Sequence, residues 1–165
     1  MTKLSQQISD RSVKVKKTPL QQLSLLGRAI RYLSLREHSQ EELIRKLKPH
    51  AATQEELDRV LEQLITKGLQ SNQRFAENLV RKQSVRYGHR RVAEELKRNK
   101  IDSPTSAQLI SNMRSTEFDR ALAIWSKKFG EVSADPKEIA RQGRFLANRG
   151  FDLDLISKII RGKVG

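Results

Sequence analysis

The feature of this 165-residue chain that most constrains its fold is an internal repeat. When the sequence is compared with itself at a step of 49 and then 50 residues, apolar side chains align with apolar side chains at five places. Such agreement rarely arises by chance in a chain that is only 36% apolar. A repeat of this length indicates tandem modules that gain stability by stacking on their neighbours. The five aligned sets are Leu26/Phe75/Trp125, Ile30/Leu79/Phe129, Leu47/Leu96/Leu146, Val60/Leu109/Ile159 and Leu61/Ile110/Ile160.

Apolar residues within each repeat are three or four positions apart, the spacing of an amphipathic helix. The segments EELIRKLK, RVAEELKR and EFDRALAIWSKKFG are examples, and convincing strand patterns are absent from Leu23 onward. The aligned sets fall in a first, a second and a third helical segment of each repeat. We therefore predict an all-α fold of three tandem three-helix modules in an elongated, curved array. The predicted modules are residues 21–70, 71–114 and 115–165.

Local signals mark the helix boundaries. Ser39 before Gln40-Glu41-Glu42 resembles a capping box, and Asp135-Pro136 offers a cap followed by a first-turn proline. Gly68, Gly130 and Gly150 follow helical segments at positions where glycine can adopt the left-handed conformation that ends a helix.

The first 20 residues differ from the rest. Apolar residues are sparse, and five basic residues face a single acid, Asp10. We expect a mobile basic arm, although Val13-Lys14-Val15-Lys16 also has the alternation of a short strand. A tail without any role is an equal alternative.

The overall composition favours an anionic partner. The formal net charge is +14, which points first to nucleic acid and then to an acidic protein or membrane surface. The absence of cysteine is compatible with a reducing cytosol. The sequence has no apolar run long enough for a signal peptide or a membrane span, so a cytosolic protein that does not use a membrane is expected.

The positive charge is concentrated in the second module. Between Gln73 and Lys100, nine basic residues face three acids, whereas between Glu37 and Glu62 seven acids face four basic residues. The stretch Ser84–Ile101 carries apolar core positions on one helix face, at Val92 and Leu96, and basic residues on the other. We interpret the basic face as an anion-binding surface, and an incidental solvated face is the alternative. Tyr87 either stacks on a base or packs against the neighbouring module.

Signatures of catalysis and of cofactor or metal binding are missing. No glycine-rich loop ends in Gly-Lys-Ser/Thr, and Gly-x-Ser-x-Gly does not occur. The residues His38, His50 and His89 are far apart in sequence, and no thiolate exists to complete a zinc site. Paired carboxylates such as Glu94-Glu95 lie at helix starts or on polar faces, where capping and solubility explain them. We therefore expect no enzyme activity, cofactor or metal.

Two DNA-binding alternatives and one protein-binding alternative stay open. Residues 90–100 could act as the recognition helix of a helix-turn-helix reader, but basic residues spread over two helices favour contacts to the phosphate backbone. A second alternative is a protein that coats single-stranded DNA without sequence preference. A third is an adaptor whose modules bind an acidic protein.

Several segments resemble the bacterial regulatory protein RecX family over residues 26–160. Their order and spacing carry the resemblance, since no single motif is decisive. They are AIRYL (29–33), REHS (36–39) and ELxxKL (42–47) in the first module, RFA (74–76), YG (87–88), Val92 and EL (95–96) in the second, and KFG (128–130) and RFLxxRGF (144–151) in the third.

This resemblance implies a non-enzymatic modulator of the RecA recombinase. RecX-like proteins bind RecA nucleoprotein filaments, block their growth or favour their disassembly, and thereby affect recombination, the SOS response and DNA repair. We expect a monomer whose partners are the RecA filament and, non-specifically, DNA phosphates. The candidate contacts to RecA's acidic groove surface or to DNA are Arg81, Lys82, Arg86, Tyr87, Arg90, Arg91, Lys97 and Arg98.

The chain departs from the family pattern at two places. Relatives tend to have Lys-Gly after the second helix of the second module, where this chain has Asn99-Lys100. Because Asn tolerates a left-handed turn, we expect Asn99 to cap that helix at a small cost. Relatives also tend to carry acids where this chain has Ser71-Asn72, and any RecA contact that used those acids is in doubt.

Overall fold

The computed structural model describes residues 23–162, within which the backbone forms nine α-helices and no β-strand. A short 3-10 turn, Lys48–His50, follows the second helix. The predicted all-α fold of three tandem three-helix modules in an elongated, curved array is confirmed, whereas the predicted arm (1–20) lies outside the described residues. The helices are α1 (Leu25–Leu35), α2 (Gln40–Leu47), α3 (Gln54–Thr66), α4 (Asn72–Gln83), α5 (His89–Arg98), α6 (Ser103–Ser115), α7 (Glu117–Phe129), α8 (Pro136–Ala147) and α9 (Leu153–Ile160).

The helices pack in groups of three, each group around its own core. Helices α1–α3, α4–α6 and α7–α9 contact one another within their groups, and α6 and α7 meet where the second group joins the third. Because α6 extends to Ser115, the predicted boundary at residue 114 lies inside its last turn. The module boundaries themselves stay a prediction. Fully buried residues of the three cores include Leu43, Leu47 and Leu64; Val92 and Leu96; and Leu146, Phe151 and Ile159.

The predicted caps are confirmed. Ser39 Oγ accepts a hydrogen bond from the Glu42 amide at 3.0 Å, and Asp135 caps α8 directly before Pro136. Gly68, Gly130 and Gly150 have positive φ angles of 66°, 81° and 78°. A side-chain N-cap such as Ser39 or Asp135 contributes about 1 kcal/mol to helix stability.

The aligned apolar columns are confirmed as core positions, with one exception in the first helix. Phe75 and Trp125 are buried, but Ile30 is 44% exposed. The buried stripe of α1 passes through Leu25 and Ala29 instead, one residue before the predicted positions. Neighbouring helical residues point about 100° apart, so a shift of one residue carries Ile30 to the edge of the buried face.

The junction between the first and second modules is polar. Ser39 Oγ donates to Asn99 Oδ1 at 2.7 Å, and both residues are buried. The backbone N–H of Gln40 donates to Asn72 Oδ1 at 2.9 Å, so a residue of α4 supplies a hydrogen-bond acceptor for an N–H group at the start of α2. Gln70 Nε2 donates to the carbonyl of His38 at 3.2 Å and to Asn72 at 2.9 Å. Ser71 therefore caps α4, and Asn72 joins the two modules.

Asn99 is the C-cap of α5, as predicted, but it does not take the left-handed conformation expected of it. Asn99 has φ −88°, and the next residue, Lys100, has φ +52°. Asn99 is instead held by its buried side chain, which donates to the carbonyl of Glu95 at 2.9 Å and accepts from Ser39. The positive φ thus falls one residue later than expected, on Lys100.

Main-chain contacts join the second module to the third. The Gly88 amide donates to the carbonyl of Arg149 at 2.9 Å, and the Arg90 amide donates to that of Gly150 at 3.2 Å. A Cβ atom added at Gly88 would lie 2.2 Å from the Gly150 oxygen and 2.4 Å from the Phe151 nitrogen. Glycine is required at position 88 because another backbone approaches it this closely.

Two charged side chains of α7 complete this second junction. The Glu117 carboxylate, 3% exposed, accepts from the His89 amide at 2.8 Å and hydrogen-bonds with His89 Nδ1 at 2.6 Å. It caps α5 from another module, since Gly88 at the N-cap has no side chain to do so. The Arg120 guanidinium donates to the carbonyls of Ser84 (2.6 Å), Tyr87 (3.1 Å) and Met113 (2.9 Å).

Candidate functional site

The predicted basic residues of the second module all carry exposed side chains, but they do not form one continuous patch. Arg81 and Lys82 lie at the end of α4, Arg86 lies in the turn before α5, and four others lie on α5. The turn is held by Arg120, and burial lowers the pKa of that guanidinium. Exposed residues of the predicted set are Arg81, Lys82, Arg86, Arg90, Arg91, Lys97 and Arg98.

The structure brings three of the predicted residues together beside α5. Arg90, Arg91 and Arg98 line an open cleft of about 420 Å³ whose opposite wall is formed by Asn148 and Gly150 of the third module. Glu94 lies in the same cleft, and the Arg98 guanidinium is paired with Glu95 on its own helix. The cleft is mostly polar, so charge and hydrogen bonding would hold a ligand in it. Phosphate groups suit such a site because long cationic side chains follow them without base-specific contacts.

Tyr87 and Arg91 have structural contacts that limit their freedom. The Tyr87 ring is half-buried against the second core, and the Arg91 guanidinium lies 4.1 Å above its centroid. Arg91 also donates to the carbonyl of Asn148 at 3.4 Å. This geometry favours packing of Tyr87 over base stacking, because one ring face is already covered.

The remaining predicted residues lie apart from this cleft. Lys82 lines a separate cleft at the first junction, next to the Arg36–Glu42 ion pair. Burial acts to raise the pKa of Glu42, but hydrogen bonding and charge from Arg36 outweigh it and lower that pKa. The Arg81 guanidinium donates to Asn78 one turn earlier on α4. Lys97 is exposed on α5, and Arg86 faces the third module.

Sequence reasoning missed a second group of basic residues in the third module. Lys127, Lys128 and Arg149 join Arg86 around a cleft of about 580 Å³ that also contains Tyr87 and apolar side chains of α7 and α8. The charge count concealed this group, since residues 117–149 contain seven basic and five acidic side chains. The adjacent pair Lys127-Lys128, near the end of a helix whose other face is apolar, is the signal that could have indicated it.

The described residues show neither a metal-binding cluster nor a membrane-spanning helix. No group of three or more His, Asp or Glu side chains in residues 23–162 is arranged to hold a metal ion. Within the same range, no helix is both long and apolar enough to cross a bilayer.

These features define the class as a helical repeat protein with basic clefts between modules, and comparison with known proteins identifies the family. The family model for the first three-helix domain of RecX matches residues 26–64, and the model for the third matches residues 115–160. The chain is 45% identical over 144 residues to the regulatory protein RecX of Ralstonia pickettii, covering 87% of this chain and 91% of that one. It is 40% identical over 140 residues to that of Leptothrix cholodnii, covering 85% and 89%.

Solved structures show the same fold at lower sequence identity. The crystal structure of RecX from Lactobacillus salivarius superposes with a TM-score of 0.69 at 18% identity, covering 84% of this chain and 93% of that one. The chain belongs to the RecX family of regulatory proteins.

Proposed function

We propose that this protein is a negative regulator of the RecA recombinase that binds RecA nucleoprotein filaments and limits their growth or promotes their disassembly. It acts without catalysis, in the cytoplasm, and modulates recombination and the SOS and DNA-repair responses. The observation that carries the proposal is membership of the RecX regulatory family over most of the chain. The exposed cationic clefts between modules support it, because a nucleoprotein filament presents phosphates and acidic protein surfaces together.

Within this function, the exposed face of α5, which carries the cleft beside Arg90 and also Lys97, is the proposed contact to DNA phosphates or to an acidic RecA surface. Arg90 and Lys97 suit a test because they are exposed and have no side-chain partner among the described residues. Arg91 is a poorer choice, since its guanidinium lies on Tyr87 and bonds Asn148. We therefore expect Arg90→Glu/Lys97→Glu to weaken filament binding while leaving the fold intact.

The experiment measures ATP hydrolysis by RecA on circular single-stranded DNA while this protein is titrated well below the RecA concentration. We expect substoichiometric inhibition that survives excess competitor DNA, and loss of about tenfold or more in potency for Arg90→Glu/Lys97→Glu. The matched control, Arg45→Glu/Lys48→Glu, makes the same charge change on exposed residues of the first module and should retain potency. Equal potency for both folded variants would refute the α5 assignment.

The alternative function is a protein that coats single-stranded DNA without sequence preference, and the cationic α5 cleft is the observation that favours it. Such a protein would inhibit only near DNA saturation, and competitor DNA would abolish the effect. Its affinity would fall steeply as salt is raised. That result would replace the proposed regulatory function.

A further inference from the structure

The cleft between Arg86 and Lys127, which like the α5 cleft lies between the second and third modules, combines two properties that distinguish it from the α5 cleft. Its basic side chains are Arg86, Lys127, Lys128 and Arg149, and within residues 23–162 its lining contains no acid. It also has an apolar part formed by side chains from both modules. The apolar members are Val85, Tyr87, Ile124 and Phe145.

The apolar part is accessible to a partner. Val85 is 69% exposed although it is a large aliphatic residue, and Ile124 lies half-buried in the floor of the cleft. An exposed valine costs little by itself, but one that lines a cleft together with other apolar side chains and several cations is typical of an interface. An aliphatic side chain entering the cleft would bury its surface against these residues.

The aromatic rings of this cleft are poorly placed for base stacking. The Arg91 guanidinium covers Tyr87 at 4.1 Å, and the Arg149 guanidinium covers Phe145 at 3.9 Å. Each ring is also packed against the core of its own module. Base stacking needs an open ring face, so a bare nucleic-acid strand would use the charges of this cleft but not its apolar part.

We propose that this cleft binds an acidic protein segment through one aliphatic side chain, which occupies the floor beside Val85 and Ile124 while flanking carboxylates pair with Arg86, Lys127 and Lys128. The proposal rests on the proposed function and deepens it, because it assigns a protein partner to a cleft distinct from the face of α5. Charge complementarity and the apolar floor together select this partner over DNA.

The first test is independent of RecA. Fluorescence anisotropy would measure binding of a short labelled peptide in which one leucine is flanked by aspartates and glutamates. Matched probes are the same peptide with serine in place of leucine, and oligothymidylate. We expect the leucine peptide to bind about tenfold more tightly than the serine peptide, since burying a leucine contributes that much or more.

Three variants locate the binding. Val85→Asp and Lys127→Glu/Lys128→Glu should each weaken leucine-peptide binding about tenfold, whereas Arg45→Glu/Lys48→Glu should not, and circular dichroism checks that each variant is folded. All these substitutions are at exposed positions. No binding of the leucine peptide at millimolar concentration, or equal binding of the two peptides, would overturn the proposal. Oligothymidylate binding that is lost in the Val85 and Lys127/Lys128 variants, without peptide binding, would assign the cleft to nucleic acid instead.

The RecA assay separates this proposal from the function on which it rests. If the wild-type protein inhibits RecA but the peptide result is negative, the cleft assignment fails and the regulatory function stands. If the peptide binds as expected but no inhibition occurs at any ratio, the function fails and the cleft remains a site for an acidic protein segment.

Discussion

Replacement of Gly88 by alanine tests how the second and third modules are joined. The added Cβ would lie 2.2 Å from the carbonyl oxygen of Gly150 and 2.4 Å from the nitrogen of Phe151. These are backbone atoms, which cannot rotate away as a side chain can. Because Gly88 has φ −77°, alanine suits its backbone angles, and the entire effect comes from the loss of space.

The expected loss of stability follows from the contacts that the added methyl group forces apart. Overpacking of a closed interface costs about 1–3 kcal/mol. Moving the two backbones apart also breaks the hydrogen bonds Gly88–Arg149 and Arg90–Gly150, each worth about 1 kcal/mol. We expect Gly88→Ala to lower the free energy of unfolding by about 3 kcal/mol or more, a large part of the stability of a small protein.

A matched substitution elsewhere should have the opposite sign. In Gly143→Ala, within α8, the new Cβ would lie 3.5 Å from Ile160 Cδ1, which is ordinary contact. Glycine in a helix interior costs about 0.5–1 kcal/mol relative to alanine, so Gly143→Ala should stabilise the protein by that amount. Urea unfolding followed by circular dichroism measures both variants. A urea midpoint for Gly88→Ala equal to that of the wild type would contradict the close approach of the two backbones at Gly88.

Two further predictions concern single side chains of the first two modules. The free energy of unfolding in urea should be about 1 kcal/mol higher for Lys100→Gly than for Lys100→Ala. Both substitutions remove the Lys100–Glu41 ion pair (2.9 Å), but only glycine adopts φ +52° without strain. Equal free energies of unfolding would contradict this strain. Burial lowers the pKa of His38 from its usual 6.5, so its neutral form is favoured in the folded state. The stability it contributes is therefore present above pH 6.5 and is lost as the pH falls toward the lowered folded-state value. Between about pH 7.5 and about pH 5.5, the free energy of unfolding should fall less in His38→Asn than in the wild type. Asparagine is the matched replacement because it retains a donor for the Arg36 carbonyl. An identical fall in both proteins would refute the role of His38.

The modular fold was predictable because helix packing leaves a periodic record in the sequence. Leu47, Leu96 and Leu146 are each 0% exposed and recur at the repeat spacing, since every module must bury the same helix face. The junctions leave no such record. Glu117 was unremarkable in the sequence, yet it caps α5 from another module, and Asn99 forms its key bond to a residue 60 positions away. Contacts of this kind depend on how modules are oriented, which no local spacing encodes.

The basic surface was only partly predictable because a charge count does not show what each cation already contacts. Arg91 of the second module borders the third module, and Arg149 of the third borders the second. Each guanidinium also covers an aromatic ring of its own module, Tyr87 and Phe145 respectively. Their charges remain, but their positions are set by packing, so they shape the clefts more than they reach outward. Arg90 and Lys97, whose side chains make no such contact within the described part of the chain, are the residues whose removal should change binding without changing the fold. The useful quantity is therefore the charge that packing leaves free, and beside the junction of the second and third modules it includes the face of α5 and the rim formed by Arg86, Lys127 and Lys128.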